Sequence, residues 1–352
     1  MMKKNRREFV KSTAALGAGA WVLGGLTPKV SLSANEEIRF GCIGVGGKGA
    51  SDSSDAGKHG KVVAICDIDE NTLNKKSQEF GEAEKFFDYR EMLEKVGDRI
   101  DAVTVSTPDH THAVVSLQAM RMGKHIYCQK PLSHSIEEAR LMGDVAREMK
   151  VVTQMGNQGT AISNLRESAA LVRKGIIGEV TEVHVWTNRP VWPQKYGLEL
   201  KTMDAPANVH WDEWIGPAEK RPYSPEIHPF KWRGLWSFGT GALGDMACHT
   251  LNMSYMALDL KFPTSVEADA DRHDGVFYPA WSQITFQFPE FNGRPAVKMV
   301  WYDGGKRPDD ALLGDLPKQK KGQRESHYSS AALIVGKKGK FYSPGDYGGE
   351  PG

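Results

Sequence analysis

The chain has 352 residues, 40% hydrophobic and 25% charged, with a formal net charge of +1. This is ordinary globular composition, long enough for about two domains, and it excludes a disordered or collagen-like chain. The four cysteines, Cys42, Cys66, Cys128 and Cys248, show no CxxC or other metal spacing and no evident disulfide framework.

Residues 1–34 read as a segment apart from the fold. NRREFVKS carries Arg6 and Arg7 ahead of Phe9 and Lys11, and the weakly apolar run TAALGAGAWVLGGL follows. That run is too short and too Gly-rich for a stable membrane span. Ser31-Leu32-Ser33, or the following Ala34, offers small residues for cleavage. The pattern resembles a twin-arginine export signal, which implies a periplasmic or otherwise exported protein; the alternative is a basic arm with a membrane anchor. The segment holds six basic residues and one acid, so removing it takes the net charge from +1 to −4. A mildly acidic body gives no reason to expect nucleic acid as a partner.

From residue 36 to 155, strand-like and helix-like stretches alternate. IRFGCIGVG, KVVAICDID, FFDY, DAVTVSTPD, HIYCQKP and VVTQMGN read as strands. NTLNKKSQEF, YREMLEKVG, HTHAVVSLQAMRMG and SIEEARLMGDVAREMK read as helices between them. Apolar strands alternating with amphipathic helices predict a doubly wound parallel sheet covered on both faces. Gly44-Val45-Gly46-Gly47-Lys48-Gly49 is a GxGxxG directly after the first strand, and Asp67 ends the second. In that setting the glycines let the backbone approach a pyrophosphate at a helix N-terminus, and the carboxylate accepts from ribose hydroxyls. A carboxylate there repels a 2′-phosphate, and CDIDEN supplies no basic residue to replace it, so NAD is expected over NADP. STPDHTH (106–112, with Thr107, Pro108 and His112), CQKP (128–131, with Gln129 and Lys130) and MGNQ (155–158, with Asn157) fall where strand ends face a ligand. Lys130 before Pro131 is either a solvated lysine at a turn or a group that shares a substrate hydroxyl's proton.

Residues 156–352 change rhythm. SNLRESAALVRKG reads as a helix ended at Gly175, EVTEVHVWT as a strand, 189–240 as long Pro-, Gly- and Trp-rich connections, and 243–258 as one helix. TSVEADADR, SQITFQF, AVKMVWY, AALIVG and GKFY then follow as strands, with a polar loop expected over 303–325. Successive strands without helices predict an antiparallel or mixed sheet. The chain stops soon after GKFY, abruptly for a sheet domain, which suggests a truncated C-terminus. Six of the nine tryptophans, Trp186, Trp192, Trp211, Trp214, Trp232 and Trp236, lie between 186 and 236; one or two are expected to stack on a sugar, the others to fill cores or interfaces. In DMACHTLN, Asp245 and His249 stand four apart on one helix face. From the residues alone they are a satisfied core pair, metal ligands or catalytic groups; no third ligand or HExxH-like motif accompanies them, so no metal is expected.

GVGGKG, STPDHTH, CQKP and GALGDMACHTLN together resemble the glucose-fructose oxidoreductase / inositol dehydrogenase / MocA (Gfo/Idh/MocA) family over 36–352. The resemblance implies an NAD-binding Rossmann domain, a C-terminal α/β domain with a large open, mostly antiparallel sheet, and a sugar or cyclitol site between them. It implies Lys130 as the catalytic lysine, His249 as acid/base at the reacting hydroxyl, and Asp245 as a substrate-binding group that tunes the histidine. Trp232, Arg233 and Asn157 are expected on the cofactor or substrate side, and a homo-oligomer through the C-terminal sheet. Two positions depart from the family pattern: Gln129 where Glu is usual, and Asn252 where many members have Asp. The expected activity is an exported oxidoreductase with tightly bound NAD, acting on a sugar, cyclitol or glycoside. The alternatives are glycoside cleavage by transient oxidation and elimination, and a non-catalytic sugar-binding protein.

Overall fold

The first half builds its sheet from strands flanked by capped helices. β1 (Ile38–Ile43), α1 (Gly47–His59), β2 (Gly60–Cys66), α2 (Glu70–Ser77), β3 (Glu84–Phe86), α3 (Tyr89–Val96), β4 (Ala102–Val105), α4 (Asp109–Arg121), β5 (His125–Gln129), α5 (Ile136–Met149) and β6 (Thr153–Gly156) follow in chain order. The computed structural model describes residues 37–314, 316–321 and 324–347; the export segment read from the sequence lies outside the described residues. From Ile38 onward the described residues form one compact unit.

The strands run in the order β3-β2-β1-β4-β5-β6, and every pairing is parallel. The order reverses between β1 and β4, so a crevice opens there beyond the strand ends. One face packs Met92, Leu93, Val115, Met120 and Met142 from α3, α4 and α5; the other packs Ala56 and Leu73 from α1 and α2. Local sequence sets the helix starts. Asp69 accepts from Asn71 N, Asp88 from Arg90 N, and Ser135 with Glu138 forms a capping box. The Asp88 cap starts α3 at Tyr89, which is why the FFDY run pairs only as far as Phe86.

The second half contains α6 (Ser163–Arg173), β7 (Val180–Trp186), α7 (Trp211–Ile215), α8 (Gly241–Thr250), α9 (Asn252–Leu258), β8 (Ser265–Ala270), β9 (Ser282–Phe288), β10 (Val297–Tyr302), α10 (Asp310–Leu313), β11 (Gln319–Lys321), β12 (Arg324–Ser326), β13 (Ala331–Gly336) and β14 (Gly339–Pro344). Its main sheet has the order β14-β13-β7-β10-β9-β8, antiparallel except for the β7–β10 pair. Alternation along β10 sends Val297, Met299 and Trp301 toward α6, α8 and α9, and Val300 and Tyr302 toward Leu313.

Two expectations need correction. The single helix over 243–258 starts at Gly241 and divides at Leu251. Just before the break, the Thr250 hydroxyl donates to Met246 O, a side-chain bond that competes with regular helix pairing. The polar stretch 303–325 is not all loop: Asp309 caps α10 by accepting from Ala311 N, Leu313 is buried, and β11 pairs with β12.

The glycine-rich turn is shaped by close approach. A Cβ on Gly49 would lie 1.8 Å from Gly44 O, whereas Gly47, at φ +49°, has nothing within 4 Å of such an atom. Gly49 is therefore needed for packing, and Gly47 leaves open space beside the first turn of α1. Gly49→Ala is expected to push the turn away from β1, lowering the thermal midpoint and cutting dinucleotide retention by about 10-fold or more. Calorimetry and cofactor quantification on the purified variant check this, and unchanged values in both would contradict the role given to Gly49.

Candidate active site

A cleft of about 760 Å³ lies beyond the β1, β4 and β5 ends. Gly44, Gly46, Gly47, Lys48 and Asp67 form one part of its wall; Thr107, Pro108, His112, Gln129 and Lys130 continue it; Trp232, Arg233 and Asp245 close it from the second half. Four other expected residues, Val45, Gly49, Asn157 and His249, stand off that wall. Val45 is buried behind the turn, Gly49 packs on Gly44, and Asn157 lies one residue past Gly156, the β-partner of Gln129. Of the six clustered tryptophans, Trp214 and Trp232 line the cleft; Trp186, by contrast, packs with Val300 and Leu333 in a core.

Asp67 holds the glycine turn. Its Oδ2 accepts from Val45 N at 2.9 Å and Gly46 N at 3.1 Å, and its Oδ1 from Asp69 N at 3.1 Å. Burial raises its pKa, with those N–H donors acting in the opposite direction. The site fits a dinucleotide on two further counts. Gly47 leaves the space that a phosphate needs against backbone, and the Thr107 hydroxyl, on the cleft wall, is buried with no partner among the described residues.

His112 ties two strand-end turns together. Its Nε2 lies 2.7 Å from Thr107 O and its Nδ1 2.6 Å from Pro131 O. It therefore acts on the cleft chiefly by fixing the backbone of those turns. Beyond Pro131's neighbour Lys130 the chemistry concentrates. Lys130 Nζ donates to Asp245 O at 2.6 Å and to Asp245 Oδ1 at 2.9 Å. Arg233 Nε stands 3.5 Å from Asp245 Oδ1, and Arg189 Nε 3.8 Å from Oδ2. Arg233 is stacked over Trp232 and Phe230, 4.2 and 4.6 Å from the ring centroids.

His249 sits one helical turn beyond Asp245, buried, with its ring centroid 4.9 Å from that of Tyr347. Its Nδ1 is buried without a partner among the described residues. Burial, then the charge of Lys130, lowers its pKa from 6.5 to about 4, against the opposing pull of Asp245. The ring is thus neutral at neutral pH. Asn252 takes no part in this charge cluster; its amide donates to Thr160 Oγ1 at 2.7 Å. Among the described residues no group of three or more His, Cys, Asp or Glu could hold a metal ion.

Arg189 and Tyr347 were not expected from the sequence. Arg189 follows β7 in TNRP, inside a stretch that reads only as a connection, and Tyr347 lies in the terminal SPGDYGG. Neither carries a motif; only the fold of the second half brings them to α8.

Comparison with known proteins agrees with this geometry. The description "Oxidoreductase family, NAD-binding Rossmann fold" matches residues 38–157, and "Oxidoreductase family, C-terminal alpha/beta domain" matches residues 159–310. Levoglucosan dehydrogenase of Pseudarthrobacter phenanthrenivorans is 25% identical over 51% of this chain and 37% of its own. A glycosyl hydrolase family 109 protein of Shewanella pealeana is 29% identical over 51% of this chain and 45% of its own. The chain thus spans less than half the length of either relative. The crystal structure of the WlbA dehydrogenase from Bordetella pertussis, in complex with NADH and UDP-GlcNAcA, shares the fold at a TM-score of 0.59 and 18% identity, covering 87% of this chain and 79% of that one. The chain belongs to the Gfo/Idh/MocA oxidoreductase family, with an NAD-binding Rossmann domain followed by the family's C-terminal α/β domain.

Proposed function

We propose that this protein is an exported oxidoreductase that retains NAD and exchanges a hydride with a carbinol of a sugar, cyclitol or glycoside. The observation that carries the reading is Lys130, fixed on Asp245 at the edge of the cleft, with neutral His249 one helical turn away. The glycine turn and Asp67 would hold the pyrophosphate and adenosine ribose, and the Thr107 hydroxyl the nicotinamide half. NAD, when bound, supplies the acceptor for a carbinol hydride. Lys130 donates a hydrogen bond to the reacting hydroxyl oxygen and steadies charge as the O–H bond breaks. His249 takes the proton, which requires its neutral form. Trp214 and Trp232, stacked on Trp211 and under Arg233 respectively, would bound the space left for the sugar with their edges.

A second reading, redox-neutral glycoside cleavage, is favoured by one contact. Tyr347 rests against His249, so the neutral imidazole could take the proton from the carbon beside a transient sugar carbonyl, while the phenol, whose pKa burial raises, could give one to the leaving oxygen. The similarity to a glycosyl hydrolase family 109 protein supports it. Export fits both readings: Arg6-Arg7 and the short apolar run support a route for folded proteins, and a cofactor loaded before export would have to be recycled within the site. The strand β8, exposed along most of its length, with Val266 outward, supports assembly through the second sheet.

The expected outcome with purified protein is copurifying NAD and turnover of one member of a sugar and glycoside panel. Stoichiometric NADH supports net oxidation; cleavage without NADH supports the second reading. A protein that never retains a nicotinamide cofactor would overturn both. His249→Ala should lose turnover by about 10²- to 10⁴-fold while still holding NAD; undiminished turnover would remove the histidine from the mechanism. Since burial and Lys130 both lower the His249 pKa, oxidation depends on a base form that is lost only as pH falls through about 4. Lys130→Met should slow turnover and move that acidic limb upward, toward 6.5; a limb that stays in place would break the link between the two residues. Cell fractionation followed by native mass spectrometry is expected to find a processed oligomer outside the cytoplasm, and a cytoplasmic full-length chain would contradict export.

A further inference from the structure

We propose that the sugar taken by this site is anionic, its carboxylate or phosphate monoester seated between Arg189 and Arg233. The inference rests on the oxidoreductase reading for the ligand being a sugar, and on the charge balance around Asp245 for its being acidic.

Three cationic side chains surround one carboxylate. Lys130 makes the short contacts, to both Asp245 O and Asp245 Oδ1. The two guanidinium groups stand at 3.5 and 3.8 Å, close enough for attraction but not at hydrogen-bond distance. Holding Asp245 is therefore the work of Lys130, and the arginines keep most of their donors. Among the described residues, Arg233 gives one N–H to Phe230 O and Arg189 one to the Asn188 amide oxygen. A guanidinium carries five donors. Two further acids lie outside the Asp245 contact: Asp109, which is buried and accepts from Thr240 Oγ1, and Asp346, whose charge acts on Tyr347 together with those of Arg189 and Asp245. Within 4 Å of Asp245, three cations face that single carboxylate, so the groups in direct contact carry an excess of positive charge.

Both arginines are held ready. The Arg233 plane lies over Trp232 and Phe230. The Arg189 main chain is fixed at both ends of the residue: its N–H donates to Thr187 Oγ1, and its carbonyl accepts from Gly304 N. Arg233, 26% exposed, lines the cleft, and Arg189, 24% exposed, stands off its wall against Asp245, which also lines it; both are reachable by a solute and screened less than open surface. A neutral sugar can accept their hydrogen bonds but leaves the charge excess in place. An oxyanion offsets it and can take paired N–H groups from each fork.

The test uses the protein as isolated with its cofactor and a matched trio: a neutral hexoside, its uronate and its 6-phosphate. Calorimetric binding and turnover are both read. One of the two acidic sugars should bind about 10- to 100-fold tighter than the neutral parent, with a preference that shrinks as salt rises; which acid wins identifies the group. Arg189→Gln and Arg233→Gln should each reduce the acidic-to-neutral affinity ratio by about 10-fold, and the Lys substitutions should keep part of it. A neutral parent bound as tightly as both acids, or Gln variants that weaken all three sugars equally, would overturn the proposal. Turnover of neutral sugars without acid preference sinks the subsite and leaves the oxidoreductase reading standing. Arginine-dependent binding of an acidic sugar with neither oxidation nor cleavage does the reverse.

Discussion

Lys130 and Asp245 come from opposite halves of the chain, one from the end of β5 and the other from α8, and both side chains are largely buried, 16% and 14% exposed. Removing Asp245 would leave Lys130, Arg189 and Arg233 without the carboxylate they share, at a cost of up to about 3–5 kcal/mol, whereas removing Lys130 leaves Asp245 facing the two arginines. The pair therefore fixes where α8 lies against the parallel sheet. Other seam contacts follow the same path. Thr240, just before α8, donates to Asp109 at the start of α4; His134 Nε2 meets Gly239 O; Asn208 donates to Asp69. The cleft is the space left between these ties, with the nucleotide-facing glycines on one side and α8 on the other.

That arrangement couples position to proton affinity. His249 belongs to α8, so the contact that brings Asp245 to Lys130 also brings the lysine's charge near the imidazole. Burial and that charge act in the same direction and keep the ring neutral. A neutral ring near a fixed ammonium suits removal of a proton from a hydroxyl that the ammonium polarises. The cation that ties α8 to the parallel sheet thus adds to burial in holding the His249 ring neutral, so a substitution at Lys130 changes both the tie and the ring's proton affinity.

The parallel sheet was legible because its signals are local: apolar runs, Asp and Ser caps, and a GxGxxG between a strand and a helix. The second sheet was legible as strands but not as an order, since pairing β7 between β10 and β13 depends on contacts far apart in sequence. Lys130, Asp245 and His249 stood out as candidates through motif and spacing; the structure joins the first two at the cleft and sets His249 off its wall. Arg189 and Tyr347 were not, because each lies in irregular chain with no period or cap to mark it. The division at Leu251 was also hidden: the apolar spacing runs straight through it, and Thr250 competes for a backbone carbonyl only once the turn has formed.

Gln129 shows how a departure from the family pattern is absorbed. An amide in place of a carboxylate removes one negative charge from the end of β5. In this chain the Gln129 Nε2 donates to Asp52 Oδ2 at 2.8 Å, and Ser106 Oγ donates to the same oxygen at 2.8 Å. The other Asp52 oxygen accepts from Lys48. A carboxylate from α1 thus joins the ends of β4 and β5 to the first turn of the glycine-rich helix. Gln129 is 5% exposed and keeps its side chain turned into this network, with its Oε1 accepting from Lys130 N at 3.2 Å. Glutamate at 129 would place a second carboxylate against Asp52, where a donor now stands, and like charges at that separation repel strongly in a buried setting. The pairing of Gln129 with Asp52 is therefore one choice rather than two, and it delivers the backbone of Lys130 to the place from which its side chain reaches Asp245.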